Sequence, residues 1–443
     1  MGGLLFGYDW VVVGGAKPFY EVFFNIVDSP WMQGWAMSSA ILGCLIGVTI
    51  SGSLSDRYGR KPLMVLASLL FIFAAVGTGA VNHIEWFIIY RIIGGIGIGI
   101  ASNLSPMYIA EISPTQVRGR FVSINQLTIV LGILSAQVVN WLLADAVLPG
   151  EDILNSWNGQ WGWRWMFWAG AVPAGLFFVT VFFIPESPRW LASRQHYEKA
   201  AAILSRIGGA KFARNEIAEI KETFQAAKEK VDYRMLFAGR MPRILLIGVV
   251  IAAFQQWCGI NVIFNYAQEI FSAAGYSVSD TLFNIVVTGV TNVVFTFAGM
   301  YLIDKIGRRA LLLFGAIGLA CIYAILGGCY YFGITGLPVL CLVVLAIACY
   351  AMTLAPVVWV VISEIFPTHI RGMAMAVATF SLWAACFVLT YTFPLLNAGL
   401  GASGTFWLYG VICILGFVFV KAMLPETKGK SLEEIERELT IDN

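Results

Sequence analysis

Gly52-Ser-Leu-Ser-Asp-Arg-Tyr-Gly-Arg-Lys61 is a dense polar island between two long apolar runs. Its core frame, Asp-(Arg/Lys)-x-Gly-Arg-(Lys/Arg), returns at Asp304-Lys-Ile-Gly-Arg-Arg309. The acid and the first basic residue lie within one turn, and Gly59 or Gly307 then permits a tight reversal that a β-carbon would resist. Two further pairs recur at a similar separation. Glu111-Ile-Ser-Pro-Thr-Gln-Val-Arg-Gly119 answers Glu364-Ile-Phe-Pro-Thr-His-Ile-Arg-Gly372, and Pro185-Glu-Ser answers Pro425-Glu-Thr. Chance does not repeat three motifs in the same order. The chain reads as a duplicated membrane protein.

Composition excludes an ordinary soluble protein: 59% of the 443 residues are hydrophobic and only 12% are charged. The 45 glycines and the 14% aromatic content suit closely packed spans with interfacial rings. A net charge of +2 carries no nucleic-acid signal. All eight cysteines, Cys44, Cys258, Cys321, Cys329, Cys341, Cys349, Cys386 and Cys413, sit inside apolar runs without metal-ligand spacing, so neither disulfides nor a metal site is expected. No basic segment precedes the first apolar run, so no cleavable signal peptide is expected.

Twelve apolar segments approach the length needed to cross a hydrocarbon core of about 30 Å. They fall near 1–23, 31–54, 62–81, 85–110, 118–144, 162–184, 242–270, 280–303, 309–331, 336–363, 371–396 and 404–424. The polar stretch 185–241 divides six from six. The expected organisation is therefore an all-α membrane protein with an N-terminal six-helix bundle at 1–184, a linker at 185–241, a C-terminal bundle at 242–424 and a tail at 425–443. If odd spans run outward, every one of the 28 Lys and Arg residues except Lys17, Arg91 and Arg164 falls on the cytoplasmic side. Both termini and the linker are then cytoplasmic.

The linker carries Ile217, Ile220 and Phe224 at helical spacing, which predicts short amphipathic helices. Ser431 to Leu439 predicts another, with Ser431 and Glu434 as a capping box. The first span has a defect, because its uninterrupted apolar run reaches only about Gly15. Either the helix continues through Lys17 and Glu21 near the outer surface or residues precede Met1, and both are expected.

Ionisable groups inside spans are costly and face a cavity or each other. Asp9 in the first span and Arg91 in the fourth are such a pair. A structural ion pair is one reading. The functional one is a proton switch, in which the affinity of Asp9 for a proton depends on Arg91 and on water. Uncharged polar residues form a second constellation. Gln126, Gln137 and Asn140 share a face of the fifth span, while Gln255, Gln256, Asn261 and Asn265 crowd the seventh. An unbroken helix would scatter these last four, whereas a break at Gly259 would let them converge. Asn292 adds an amide, with Thr288 and Thr296 beside it, and Pro356, Trp359 and Trp383 lie in the tenth and eleventh spans. Amides donate and accept as hydroxyls do, and rings stack on a sugar's C–H face, so the set suits a neutral polyhydroxylated ligand. Interhelical bonding is the plainer alternative for any one amide.

With these residues in hand, the chain resembles the sugar porter family of the major facilitator superfamily, particularly proton-coupled bacterial sugar symporters of the xylose type. The likeness rests on Asp56-Arg57-Tyr-Gly-Arg60, Pro185-Glu-Ser-Pro-Arg189, Gln255-Gln256 with Asn261, and Pro425-Glu-Thr-Lys-Gly429, and it covers nearly the whole chain. The resemblance implies two pseudo-symmetric six-helix bundles rocking around a central sugar site in a bacterial inner membrane, with import of a pentose or hexose by proton symport. It implies sugar contacts at Gln126, Gln255, Gln256, Asn261, Asn292, Trp359 and Trp383, and proton coupling at Asp9 and Arg91. It also implies a cytoplasmic gating network of Asp56, Arg57, Arg60, Glu111, Arg118, Asp304, Arg308, Glu364 and Arg371. Partners are then the sugar, a proton and the lipid bilayer, with no cofactor, no nucleic acid and a functional monomer. Three departures bear on which sugar is carried: Ile133 and Leu382 stand where an amide is usual, and Asn265 where a tyrosine is.

Other readings are weaker. An uncoupled facilitator would not need Asp9, and a sensor of transporter descent would need a long signalling tail. A membrane enzyme would need a nucleophile–base pair, a metal cluster or a phosphate loop; the histidines, His83, His196 and His369, all fall in loops.

Overall fold

The computed structural model describes residues 1–113, 118–146, 152–226, 239, 241–366 and 371–428, and among these the regular structure is helical. The helices are α1 (Gly2–Phe23), α2 (Pro30–Tyr58), α3 (Arg60–Ala80), α4 (Ile84–Ile112), α5 (Arg118–Leu143), α6 (Trp163–Ala169), α7 (Ala171–Phe183), α8 (Pro188–Ser193) and α9 (Tyr197–Ala226). They continue with α10 (Met241–Trp257), α11 (Ile260–Asn265), α12 (Ala267–Ala273), α13 (Val278–Ile306), α14 (Arg308–Tyr331), α15 (Leu337–Met352), α16 (Leu354–Ile365) and α17 (Arg371–Met423). Ten stretches among the described residues are long and apolar enough to cross a membrane. One of them, Met373–Met423, bends at Gly401 (φ 66°, ψ 175°) into two spans, and α1 adds a further apolar segment to give twelve. Large apolar side chains such as Phe73, Phe183, Val172, Phe314 and Leu415 stand exposed along these helices. Water would not tolerate that much apolar surface; lipid does.

By contacts the chain falls into two compact units. The first comprises Met1–Trp10, Ser39–Ile133 and Phe167–Lys230; the second comprises Val11–Ser38, Leu134–Met166 and Val231–Asn443. In the first, α2 and α4 cross through Gly43-x-x-x-Gly47 and Gly95-x-x-x-Gly99. A β-carbon on Gly95 would meet the Ala40 carbonyl, and one on Gly43 the Ile92 carbonyl. Small residues at this spacing let backbones approach closely enough for dispersion to hold helices together in lipid. The linker helices α8 and α9 bury Leu191, Ala192, Ala200 and Ile220 beneath Trp190 and Tyr197. The amphipathic helix expected at Ser431 to Leu439 lies outside the described residues.

The duplicated motif builds the same turn in each unit. Gly59 (φ 99°) separates α2 from α3, and Gly307 (φ 107°) separates α13 from α14. A helix that starts this abruptly leaves backbone N–H groups without partners. Glu186 accepts from the N–H groups of Arg60 (3.0 Å), Lys61 (3.2 Å) and Ser187 (2.8 Å). Glu426 accepts from those of Arg308 (2.9 Å), Arg309 (3.1 Å), Thr427 (3.0 Å) and Lys428 (3.0 Å). Burial alone would raise the Glu426 carboxyl, but these backbone donors outweigh it and hold it below its ordinary range. Both acids also favour the positive ends of the helices they cap.

Two consequences are measurable. Gly95→Leu should cost at least about 1–3 kcal/mol of stability by overpacking the α2–α4 crossing, whereas Gly175→Leu, which meets open space, should leave thermal unfolding unchanged. Glu426 is ionised more readily in the folded chain than in the unfolded one. Its contribution is therefore complete above the ordinary carboxylate value of 4.5 and is lost as pH falls through the depressed folded value. Glu426→Gln should then unfold at lower temperature than wild type at pH 7, and the gap should narrow as the pH drops below 4.5.

Candidate transport site

Asp9 and Arg91 meet in the first unit. α1 is apolar around Asp9 and α4 is apolar around Arg91, so each charge has few polar neighbours along its own helix. Arg91 Nη1 donates to Asp9 Oδ1 at 2.8 Å, and Nη2 reaches the Asp9 carbonyl at 3.4 Å. The guanidinium lies over the Phe167 ring, 5.7 Å from its centre. Arg91 is 3% exposed, and the Asp9 side chain 21%. Asp9 Oδ2 and Arg91 Nε are buried without a hydrogen-bond partner among the described residues. The pair is thus joined through one carboxylate oxygen and leaves the other open to a proton.

The second constellation assembles in the second unit, and its organiser is the break at Gly259. With φ 86° and ψ −5°, Gly259 ends α10 and starts α11 in a left-handed turn that only glycine adopts freely. A β-carbon there would also strike the Tyr409 ring. The break turns Asn261 back toward α10: Asn261 Nδ2 donates to Gln256 Oε1, and Gln256 Nε2 to Gln255 Oε1 at 3.4 Å. Gln255 Nε2 in turn donates to the Leu354 and Ala355 carbonyls, both at 3.1 Å. Those carbonyls begin α16, just past the interruption at Thr353 (φ −120°, ψ −89°) that separates it from α15. Pro356 lies in that first turn and cannot donate to the carbonyl four residues back. Two broken helices therefore meet through one chain of amides. Trp257 Nε1 donates to the Ala385 carbonyl on α17 at 2.9 Å, and Asn261 also lies 3.8 Å from Cys386 Sγ.

The remaining expected contacts are placed less closely. Asn292 on α13 is 6% exposed, and the neighbouring Thr288 and Thr296 hydroxyls donate to carbonyls of their own helix. Trp383 is buried on α17, whereas Trp359 on α16 is exposed. Gln126 is half-buried on α5 and belongs to the first unit. Asn265 closes α11 with its Oδ1 buried and without a partner among the described residues.

The charge clusters follow the duplication. In the first unit Arg60 grips Glu111 through Nη2 (2.8 Å) and Nε (3.0 Å) and reaches Asp56 at 3.3 Å. In the second, Arg308 Nη2 donates to Glu364 Oε1 at 3.1 Å, and Thr427 Oγ1 to Glu364 Oε2 at 2.6 Å. Arg57 is exposed with its guanidinium over Tyr58, and the Arg57 carbonyl accepts from Arg194 at 2.9 Å. The side chains of Arg118, Asp304 and Arg371 lie outside what the structure describes. The role of Glu186 and Glu426 as caps is visible only here. Their duplication was legible in the sequence, but the helix ends they satisfy were not. No cluster of His, Cys, Asp and Glu that could hold a metal is present among the described residues.

Comparison with known proteins bears on this arrangement. The sugar (and other) transporter family profile matches residues 1–439. The D-xylose-proton symporter of Escherichia coli is 38% identical, covering 98% of this chain and 93% of its own. The arabinose-proton symporter of Bacillus subtilis is 37% identical over 99% of this chain and 92% of its own. Among solved structures, the inward-open conformation of the E. coli xylose transporter superposes with a TM-score of 0.86 at 35% identity, covering 99% of this chain and 97% of that one. The same protein bound to 6-bromo-6-deoxy-D-glucose gives 0.79 over the same shares of the two chains, at 37% identity. A profile match over nearly the whole chain, joined to the duplicated turns and the broken helices, places this protein in the sugar transporter family of the major facilitator superfamily.

Proposed function

We propose that this protein imports a monosaccharide, a pentose or hexose, by proton symport through alternating access. The observation that carries the proposal is the Asp9–Arg91 pair, a half-buried carboxylate with one oxygen bound to a guanidinium and the other unclaimed. Ionised, Asp9 is held by Arg91. A proton on the free oxygen weakens that attraction, releases Arg91 and permits reorientation with sugar bound. The field does the rest, since one charge crossing the membrane is worth about 2.3 kcal/mol per 100 mV. That is enough to concentrate a neutral solute more than about tenfold.

Gln255, Gln256, Asn261 and Asn292, with Gln126, Trp359 and Trp383, are the sugar contacts in this reading. The Asn261–Gln256–Gln255 chain supports it, because amides that bond one another can exchange those bonds for sugar hydroxyls. The relatives named for xylose and arabinose support a small sugar. Asp56, Arg57, Arg60, Glu111, Arg118, Asp304, Arg308, Glu364 and Arg371 serve as the cytoplasmic gating network. Both termini face the cytoplasm of a bacterial inner membrane, as the distribution of Lys and Arg supports, and the monomer is the working unit.

In proteoliposomes, Asp9→Asn should lose accumulation of a labelled pentose or hexose under an imposed inward proton gradient while keeping equilibrative exchange. Continued concentration of sugar by that variant would rule out Asp9 as the coupling group. Separately, Gln256→Ala and Asn261→Ala should each weaken sugar binding by about 5–150-fold, the cost of leaving one buried hydrogen-bonding partner unpaired. Calorimetry showing wild-type affinity in both would move the site elsewhere.

A further inference from the structure

Lys17 is a lysine in an apolar helix, 2% exposed, and it has more carboxylate than it needs. Its Nζ lies 2.9 Å from Glu21 Oε1, one turn along α1, and bonds Glu269 Oε1 on α12. The ammonium also sits 5.4 Å from the centre of the Tyr266 ring. Glu21 lies on the same face of α1 as Lys17, since residues four apart share a face. Lys17 thus has a second carboxylate at hand besides Glu269, its hydrogen-bond partner, while Glu21 Oε1 makes no hydrogen bond among the described residues. Glu269 is the partner that can leave: its side chain is 25% exposed, and its Oε2 has no hydrogen-bond partner among the described residues. Glu21, one turn along the same helix, stays within reach of the ammonium if Glu269 moves away, which makes the contact with Glu269 exchangeable.

The surroundings show what that contact joins. A β-carbon on Gly14 would meet the Asn265 carbonyl, so α1 and α11 approach backbone to backbone just before Lys17. Alongside, Trp31 and Trp35 of α2 stand edge-on to Tyr391 of α17 at 6.0 and 5.7 Å, and Gly34 clears space for the Tyr391 carbonyl. The 14–35 stretch is thus fastened to 265–269 and 387–391 by apolar contact and close backbone approach, with one ionic clasp among them.

We propose that Lys17 is a positioning residue of the transport cycle: it clasps Glu269 to hold the outer end of the broken seventh span against the first, and hands its charge back to Glu21 when that end opens. The proposal rests on the alternating-access reading and on the orientation given above. Electrostatics suits such a clasp, because the ammonium is never left without a carboxylate in either state.

The test uses full-length protein with Glu269→Gln, which leaves the Lys17–Glu21 pair intact, and Lys17→Met. Hydrogen–deuterium exchange of the 259–277 segment, read by mass spectrometry without sugar, should quicken in both by at least about fivefold, a typical coupling between two states. In vesicles, the external half-saturation concentration and the maximal rate should both fall, because the outward-open state gains population and closes less readily. The double exchange Lys17→Glu with Glu269→Lys should recover both. Wild-type exchange in folded Glu269→Gln overturns the clasp, and so does a double variant no better than its single parents. The exchange readout needs no sugar, so it stands or falls apart from the substrate assignment. Loss of sugar binding in Asn261→Ala with quickened exchange in Glu269→Gln would support both readings; either result can fail alone.

Discussion

A half-buried carboxylate and a buried guanidinium set in apolar helices constrain everything else in this protein. Each charge alone would cost about 2.5–3.5 kcal/mol at mid-membrane on insertion scales, so Asp9 and Arg91 must find one another or water. They do so incompletely, through one oxygen of the carboxylate, with Asp9 Oδ2 and Arg91 Nε left over. A fully satisfied pair would be a structural staple. One that is half satisfied leaves a carboxylate oxygen free to take a proton, as the proposed switch requires and a staple does not. The close crossing of α2 and α4 through paired glycines gives the arginine a rigid platform, and the Phe167 ring covers its face.

The second constraint is backbone. A helix interrupted in a membrane exposes N–H and C=O groups that lipid cannot satisfy, so such breaks survive only where protein or a water-filled cavity supplies partners. Here Gln255, just ahead of the break at Gly259, donates to the first carbonyls of α16, just past the interruption at Thr353, and so ties the two broken helices together. The polar side chains around Gly259 thus hold two interrupted helices in contact and line the break with amides. Tyr409 against Gly259 fixes the angle of the turn, since any side chain there would have to displace the ring.

Much of this was legible in the sequence, and the reason differs by residue. The duplicated Asp-x-x-Gly-Arg frame is local, so composition and spacing sufficed to expect the turns now seen at Gly59 and Gly307. The break at Gly259 was readable because four amides in eleven residues make no sense on one continuous helix. Asp9 and Arg91 stood out as charges with nowhere else to go. The helix was expected to run on through Lys17 and Glu21, as α1 does, but the burial of Lys17 was not readable, since a lysine and a glutamate at the end of an apolar run look like a solvated helix end. Its second partner is 252 residues away, and no spacing rule reaches that far. Glu186 and Glu426 were visible as repeats without a role, because the donors they satisfy exist only once α3 and α14 start at a sharp turn. The exposure of Trp359 was not readable either, for a tryptophan in a span looks the same whether it faces protein, cavity or lipid.

The two candidate constellations belong to different compact units, and their chemistries differ: an ion pair in one, uncharged amides in the other. A proton on Asp9 does nothing for an amide's hydrogen bonds, and a neutral sugar brings no charge to Asp9. In the proposed cycle, coupling between them therefore passes through the conformational equilibrium that both bias, each by binding one state better than the other. Linkage then sets a limit: the factor by which protonation strengthens sugar binding equals the factor by which sugar strengthens protonation. A carrier in which Asp9 favoured both states equally would bind protons and move sugar yet never concentrate it. In the proposed cycle, the open oxygen on Asp9 and the amides around Gly259 supply two such biases without any direct bond between proton and sugar.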